Sequence, residues 1–185
     1  SEARLLLAYK NGIFPWYENE VPLWWCPDPR FVLFPENIKV SKSMHQLFRK
    51  NDFTFKINTS FEKVMLQCGK VKRKGQSGTW INHDMIDSYT LLHKKGYAHC
   101  AETWCNQQLV GGLYGIKLGN IFFGESMFSI EANASKYAFI LYAKYLQNLG
   151  IKLIDCQVHT PHLESLGAAM IGRTEFLQIL KKEIR

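Results

Sequence analysis

Between Ala98 and Gly124 the chain reverses twice in quick succession. Ala98–Trp104, Leu109–Ile116 and Asn120–Gly124 read as strands, separated only by turns at Asn106-Gln107 and Leu118-Gly119. Strands joined by links this short are antiparallel neighbours, so the segment predicts a three-stranded meander. A long helix follows, about Ala132 to Asn148, with Gly150 as its stop. The apolar strand Ile151–Val158 comes next, then two shorter helices near His162–Ala169 and Thr174–Ile184. This order predicts an α+β domain with a mixed sheet.

The first sixty residues are less regular. Glu2 to Asn11 predicts a helix with Leu5, Leu6 and Tyr9 on one side and Gly12 as its end. Gly12 to Pro35 holds Phe14, Trp16, Trp24, Trp25 and Phe31 among Pro15, Pro22, Pro27 and Pro29, which excludes a long helix and leaves many rings needing a surface to pack on. Ser41 caps a short helix to about Lys50, Phe53–Ile57 alternates like a strand, and Ser60 caps a helix through Cys68. Asn82 opens a helix that runs to about Lys95 and stops at Gly96. At 185 residues and 46% hydrophobic composition, the chain can bury a full core.

Several function classes are disfavoured at this level. No apolar run approaches the ~20 residues a membrane span needs, and the opening Ser1-Glu2-Ala3-Arg4 lacks a basic-then-apolar leader, so we expect a cytoplasmic protein. Five scattered cysteines, with no C-x-x-C pair and no four-ligand zinc spacing, suit a reducing compartment and no structural metal. The net charge of +7 has a focus at Lys70, Lys72, Arg73 and Lys74, followed by Gly75-Gln76-Ser77-Gly78. Such a run is a solvated surface loop or a contact for a nucleic-acid backbone.

Three clusters could carry chemistry. Gly111-Gly112-Leu113-Tyr114-Gly115 puts three glycines inside a strand, calling for either a bulge or a close approach of a ligand to bare backbone. Glu125 lies at a strand end among Phe122, Phe123, Met127 and Phe128, so its carboxylate either pairs with a cation or has a raised pKa. In the strand Ile151–Val158, period two sets Asp155 and Gln157 on one face, where Val or Ile would be usual. The pair either serves structural hydrogen bonding or orients an incoming amine. Neither Ser126 nor Ser165 has a nucleophile-elbow context, and nothing specifies a dyad of Cys156 with His159 or His162.

These motifs together resemble leucyl/phenylalanyl-tRNA–protein transferases, the bacterial enzymes of the N-degron pathway. The matching stretches are Leu6–Trp16, Trp24–Arg30, Thr79–Ile81, Ala98–Trp104, Leu109–Gly115, Phe123–Ser129, Ala134–Lys136 and Leu153–Ala168, in the family's order and across almost all of the chain. The resemblance implies an acetyltransferase-like mixed sheet flanked by helices, with a smaller N-terminal lobe over residues 1–60 and a catalytic domain over 61–185. It places the family's catalytic carboxylate and glutamine on Asp155 and Gln157 and its pocket glutamate on Glu125. An apolar cup for the transferred side chain would be lined by Leu113, Phe122, Phe139, Tyr142 and Ile154. Trp16 and Trp80 match tryptophans near the tRNA's terminal adenosine, where a flat ring can stack on a base. Set against the family, we expect the segment ahead of the first helix to be missing, and the sequence carries Cys26 where Ser is usual and a longer loop at 69–78.

The implied reaction moves Leu, Phe or Met from Leu-tRNA or Phe-tRNA to an acceptor protein beginning with Arg or Lys. We expect a monomer without metal or diffusible cofactor. Asp155, through Gln157, would orient the amine and draw off its proton; Glu125 would hold the acceptor's basic residue. The loop Lys70–Lys74 would meet acceptor-stem phosphates. A small-molecule acyl-coenzyme A N-acyltransferase is the alternative, but Ile130–Ser135 lacks the Gly/Arg turn that would grip a pyrophosphate.

Overall fold

A computed structural model describes residues 1–17, 22–71 and 83–184. Helix α1 (Glu2–Lys10) leads into a separate two-stranded hairpin, β1 (Phe14–Tyr17) with β2 (Pro22–Trp25). Strand β3 (Arg30–Leu33), helix α2 (Lys42–Lys50), strand β4 (Thr54–Ile57) and helices α3 (Phe61–Gly69) and α4 (His83–Lys94) follow. The meander is β5 (Ala98–Cys105), β6 (Gln108–Leu118) and β7 (Ile121–Ser129). Helix α5 (Ala134–Asn148), strand β8 (Leu153–Gln157), the short helix α6 (Pro161–Glu164), strand β9 (Ala169–Ile171) and helix α7 (Arg173–Glu183) complete the order.

One seven-stranded sheet, ordered β4-β5-β6-β7-β8-β3-β9, organises the molecule. Its only parallel pair among the described residues is β7 with β8; the long helix α5 between them supplies the crossover that a parallel return requires. The expected α+β mixed sheet flanked by helices is therefore present. The boundary expected at residue 60 does not coincide with a division of this sheet. Strands β3 and β4 both belong to it, and what stands apart is the hairpin of β1 and β2.

Alternation along the strands builds two cores. Phe123, Leu153, Tyr114 and Val32 pack with α1, α3, α4 and α7 through Tyr9, Val64, Tyr89 and Phe176. Phe122, Ile154, Leu113 and Leu33 pack on the other face with α5 through Phe139, Tyr142 and Leu146. The glycines of β6 serve this packing. A Cβ at Gly111 would come within 2.6 Å of Ala134 at the start of α5. One at Gly115 would meet the Phe123 carbonyl oxygen at 2.1 Å. Close approach of the chain to itself, rather than of a ligand, accounts for both.

The hairpin and β3 were not visible as strands in the sequence. Phe14 and Phe31 are buried there, whereas Trp24 and Trp25 remain exposed. Strand β7 also runs to Ser129, beyond the end expected at Gly124, so Glu125 sits inside a strand instead of at its tip.

Candidate active site

Strands β7 and β8 are hydrogen-bonded only over Ile121–Phe123 and Leu153–Asp155. Beyond that point β7 keeps its partner β6 and β8 keeps β3, so the two strands part. A cavity of about 570 Å³ opens at the split. Its lining includes Leu113, Glu125, Met127, Phe128, Phe139, Ile154, Gln157 and Trp16.

Both rims of the split carry a β-bulge. Opposite β6, Tyr114 pairs with Ser126 and Gly115 with Gly124, which leaves Glu125 as the extra residue. Opposite β3, Phe31 pairs with Gln157 and Val32 with Asp155, which leaves Cys156 extra. A bulge breaks the strict in–out alternation and re-aims side chains. Gln157 also takes a left-handed backbone conformation, φ 66°. Its side chain then crosses the split, and Nε2 donates to Glu125 Oε1 at 3.1 Å.

Glu125 is 8% exposed and sits in a cluster of hydroxyls. Tyr9 of α1 donates to Oε1 at 2.6 Å and bonds Tyr89 of α4, whose own hydroxyl is 3.4 Å from Oε2. Burial, reinforced by the charge of Asp155, pushes the Glu125 carboxyl up to about 8, against the pull of the two tyrosine bonds and of Arg30. Of the two outcomes the sequence allowed, the raised pKa is the one found; Glu125 makes no ion pair among the described residues. The Tyr9 phenol is itself raised well above its usual range by burial and by Glu125.

Asp155 is fully buried and differently employed. Arg30 Nε donates to Oδ1 at 2.8 Å and Nη2 to Oδ2 at 2.6 Å, while the Gln157 backbone N–H donates to Oδ1 at 2.9 Å. Arg30 is fully buried as well, donates to the Gly12 carbonyl at 3.0 Å and lies over the rings of Phe14 and Phe176. The expected path from Asp155 through the Gln157 side chain to the amine is not formed, because that side chain bonds Glu125. Asp155 instead fixes the backbone from which Gln157 projects. Arg30 lay in a quoted motif but had no assigned role; its partner is 125 residues away, beyond the reach of any local pattern.

The apolar side of the cavity corrects the expected cup in two places. Leu113, Phe139 and Ile154 line it, joined by Met127 and Phe128. Phe122 and Tyr142 stand behind that wall, edge to face at 5.1 Å and almost wholly buried. They back the wall without lining it.

Trp16 lines the cavity on the β1 side, and its buried indole N–H has no acceptor among the described residues. A buried donor without a partner is costly, and a ligand's polar group would relieve it. Trp80, Lys72, Arg73 and Lys74 lie outside the described residues. Lys70 is exposed at the end of α3, next to Val71, which lines the cavity. Cys156 also lines it, with burial raising its thiol well above the usual range; His159 pairs with Glu164 at 3.0 Å instead of with Cys156.

Comparison with known proteins bears on this arrangement. The family profile described as leucyl/phenylalanyl-tRNA protein transferase matches residues 32–181, and that family's N-terminal domain profile matches residues 1–28. A leucyl/phenylalanyl-tRNA–protein transferase of Flavobacterium johnsoniae is 54% identical over 181 residues, covering 97% of this chain and 85% of that protein. The one from Syntrophus aciditrophicus is 50% identical, covering 100% of this chain and 78% of that protein. Among solved structures, L-PGS from Bacillus licheniformis shares the fold, with a TM-score of 0.54 at 10% identity over 99% of this chain and 70% of that one.

Proposed function

The chain belongs to the leucyl/phenylalanyl-tRNA–protein transferase family and is an aminoacyltransferase, and from that premise we propose how its site carries the reaction and what it accepts. The donor is Leu-tRNA or Phe-tRNA, with Met as a third side chain of suitable shape. The acceptor is a protein beginning with Arg or Lys, and the product is marked for degradation in the N-degron pathway. The enzyme acts in the cytoplasm as a monomer.

The observation that carries this reading is the split between β7 and β8, with an apolar cup on one side and the Glu125–Gln157 bridge on the other. The donor's side chain enters the cup of Leu113, Phe139 and Ile154. A β-branched side chain crowds its entrance, a misfit of methylene scale worth ~1–3 kcal/mol. Trp16, and Trp80 by family likeness, receive the terminal adenosine, while Lys70, Lys72, Arg73 and Lys74 meet acceptor-stem phosphates without reading sequence.

The ester of an aminoacyl-tRNA is already activated, so placement supplies most of the rate. With Nε2 of Gln157 committed to Glu125, its carbonyl oxygen is the end that accepts a hydrogen bond from the acceptor amine. Asp155 and Arg30 hold that amide in place. The negative charge of Glu125, when ionised, favours a cationic acceptor residue. Incubation of the protein with radiolabelled Leu-tRNA and a peptide beginning with Arg tests the reading. Labelled peptide is expected, and a peptide beginning with Gly should gain far less label. No label on the Arg peptide would refute it.

A further inference from the structure

Peptide-bond formation releases a proton from the attacking nitrogen, and the site holds several groups that could take it. We propose, on the function given above, that Glu125 is the catalytic residue that accepts this proton, with Tyr9 and Tyr89 holding its carboxylate and Gln157 aiming the nitrogen at it. Asp155 is set apart from Glu125 by its ion pair, since Arg30 grips both of its oxygens within the protein core. His162 lines the same cavity but has a lowered pKa, from burial and from Lys136. A lower pKa makes its neutral ring a poorer base than the raised Glu125 carboxylate.

Geometry favours Glu125. It is the extra residue of a bulge, lines the cavity just past the point where the strands part, and already bonds the amide that would hold the amine. Its pKa, raised to about 8 by burial, makes its carboxylate a stronger base than an ordinary glutamate. The balance is simple. The neutral amine attacks the ester carbonyl carbon, a C–N bond forms, and one N–H proton passes to the Glu125 carboxylate. The bond from carbon to the ribose oxygen then breaks, and the Glu125 acid returns the proton to that oxygen. The products are the extended protein and a tRNA with its hydroxyl restored, and Glu125 is again ionised.

The charged and titratable groups facing Glu125 are Tyr9 on α1, Tyr89 on α4, Arg30 on β3 and Asp155 on β8. Tyr114 of β6 lies edge to face with Tyr89. A pH profile must therefore be read on more than one variant. The decisive measurement is the single-turnover rate of leucyl transfer at saturating Arg peptide, from pH 5.5 to 8.5, for the wild type, Glu125→Gln, Tyr9→Phe and His162→Gln.

Saturation removes any contribution of Glu125 to acceptor binding. The wild type should show two ionisations on the alkaline rise, from the amine and from Glu125. Glu125→Gln should show one, with a rate ~10²-fold lower or less. Tyr9→Phe removes a bond that stabilises the carboxylate, so one of the two ionisations should shift to higher pH while the other stays. His162→Gln should retain both. A Glu125→Gln variant with raised acceptor KM but an unchanged saturated rate would overturn the proposal, as would an unshifted profile in Tyr9→Phe or loss of one ionisation in His162→Gln. Those outcomes leave the transferase function standing, whereas absence of transfer by the wild type overturns that function and this inference with it.

Discussion

Arg30 and Asp155 meet through two parallel bonds, Nε to Oδ1 at 2.8 Å and Nη2 to Oδ2 at 2.6 Å, with both side chains fully buried. The pair ties β3 to β8, and through the Gly12 carbonyl and the Phe14 ring it also reaches the segment that carries Trp16. One guanidinium thus sets the segment leading to Trp16 and the backbone of Gln157 in common register. Removing one partner leaves a buried charge alone, so Arg30→Ala should cost about 3–5 kcal/mol in stability. Urea unfolding measures it; a loss under about 1 kcal/mol would show that the pair is not structural.

Cup front and cup back should separate cleanly. Leu113→Phe narrows the cavity wall, so the ratio of kcat/KM for Phe-tRNA over Leu-tRNA should fall by roughly tenfold or more. Tyr142→Phe lies behind the wall and should leave that ratio within about twofold. Steady-state kinetics with both donors decides the matter.

Much of this site was legible beforehand, and the limits are instructive. Glu125, Asp155 and Gln157 stood out because ionisable and amide groups in buried strands need a reason. Their connections were hidden because two bulges, at Glu125 and Cys156, overrule period-two alternation; Gly115 marks a place for the first, but no residue near Cys156 announces the second. Arg30 sat in a proline-rich stretch with no period to read. Phe139 and Tyr142 share one face of α5, so spacing alone could not tell which lines the cavity and which backs it. The antiparallel meander and α5 were plain because short turns and 3.6-residue periodicity are local signals.

Glu125 should also leave its mark on stability. Its folded pKa of about 8 lies above the ~4.3 of an unfolded glutamate, so the folded state holds the proton more tightly. Between those values the native state binds more protons than the unfolded chain, and stability must fall as pH rises. Glu125→Gln removes this term. Its melting temperature relative to wild type should therefore climb from pH 5 to pH 8, by an amount corresponding to on the order of a few kcal/mol. A difference that is flat with pH would contradict the buried, raised carboxyl.

Gly115 faces Gly124 across the bulge that turns Glu125 inward, and a Cβ there would press on the Phe123 carbonyl and the Phe122 ring. Gly115→Ala should destabilise by about 1–3 kcal/mol and slow transfer as well, since the strand carrying Glu125 must shift. Thermal unfolding beside a transfer assay checks both effects; wild-type values in each would contradict the packing described.

The central claim is that Gln157, projecting across the split between β7 and β8, places the acceptor amine against the ester. The most direct measurement is the single-turnover rate of leucyl transfer by Gln157→Ala, taken alongside its affinity for Leu-tRNA. The account predicts a rate about 10²-fold lower, the usual cost of a misplaced reactant, with tRNA affinity unchanged. A wild-type rate in that variant would contradict it.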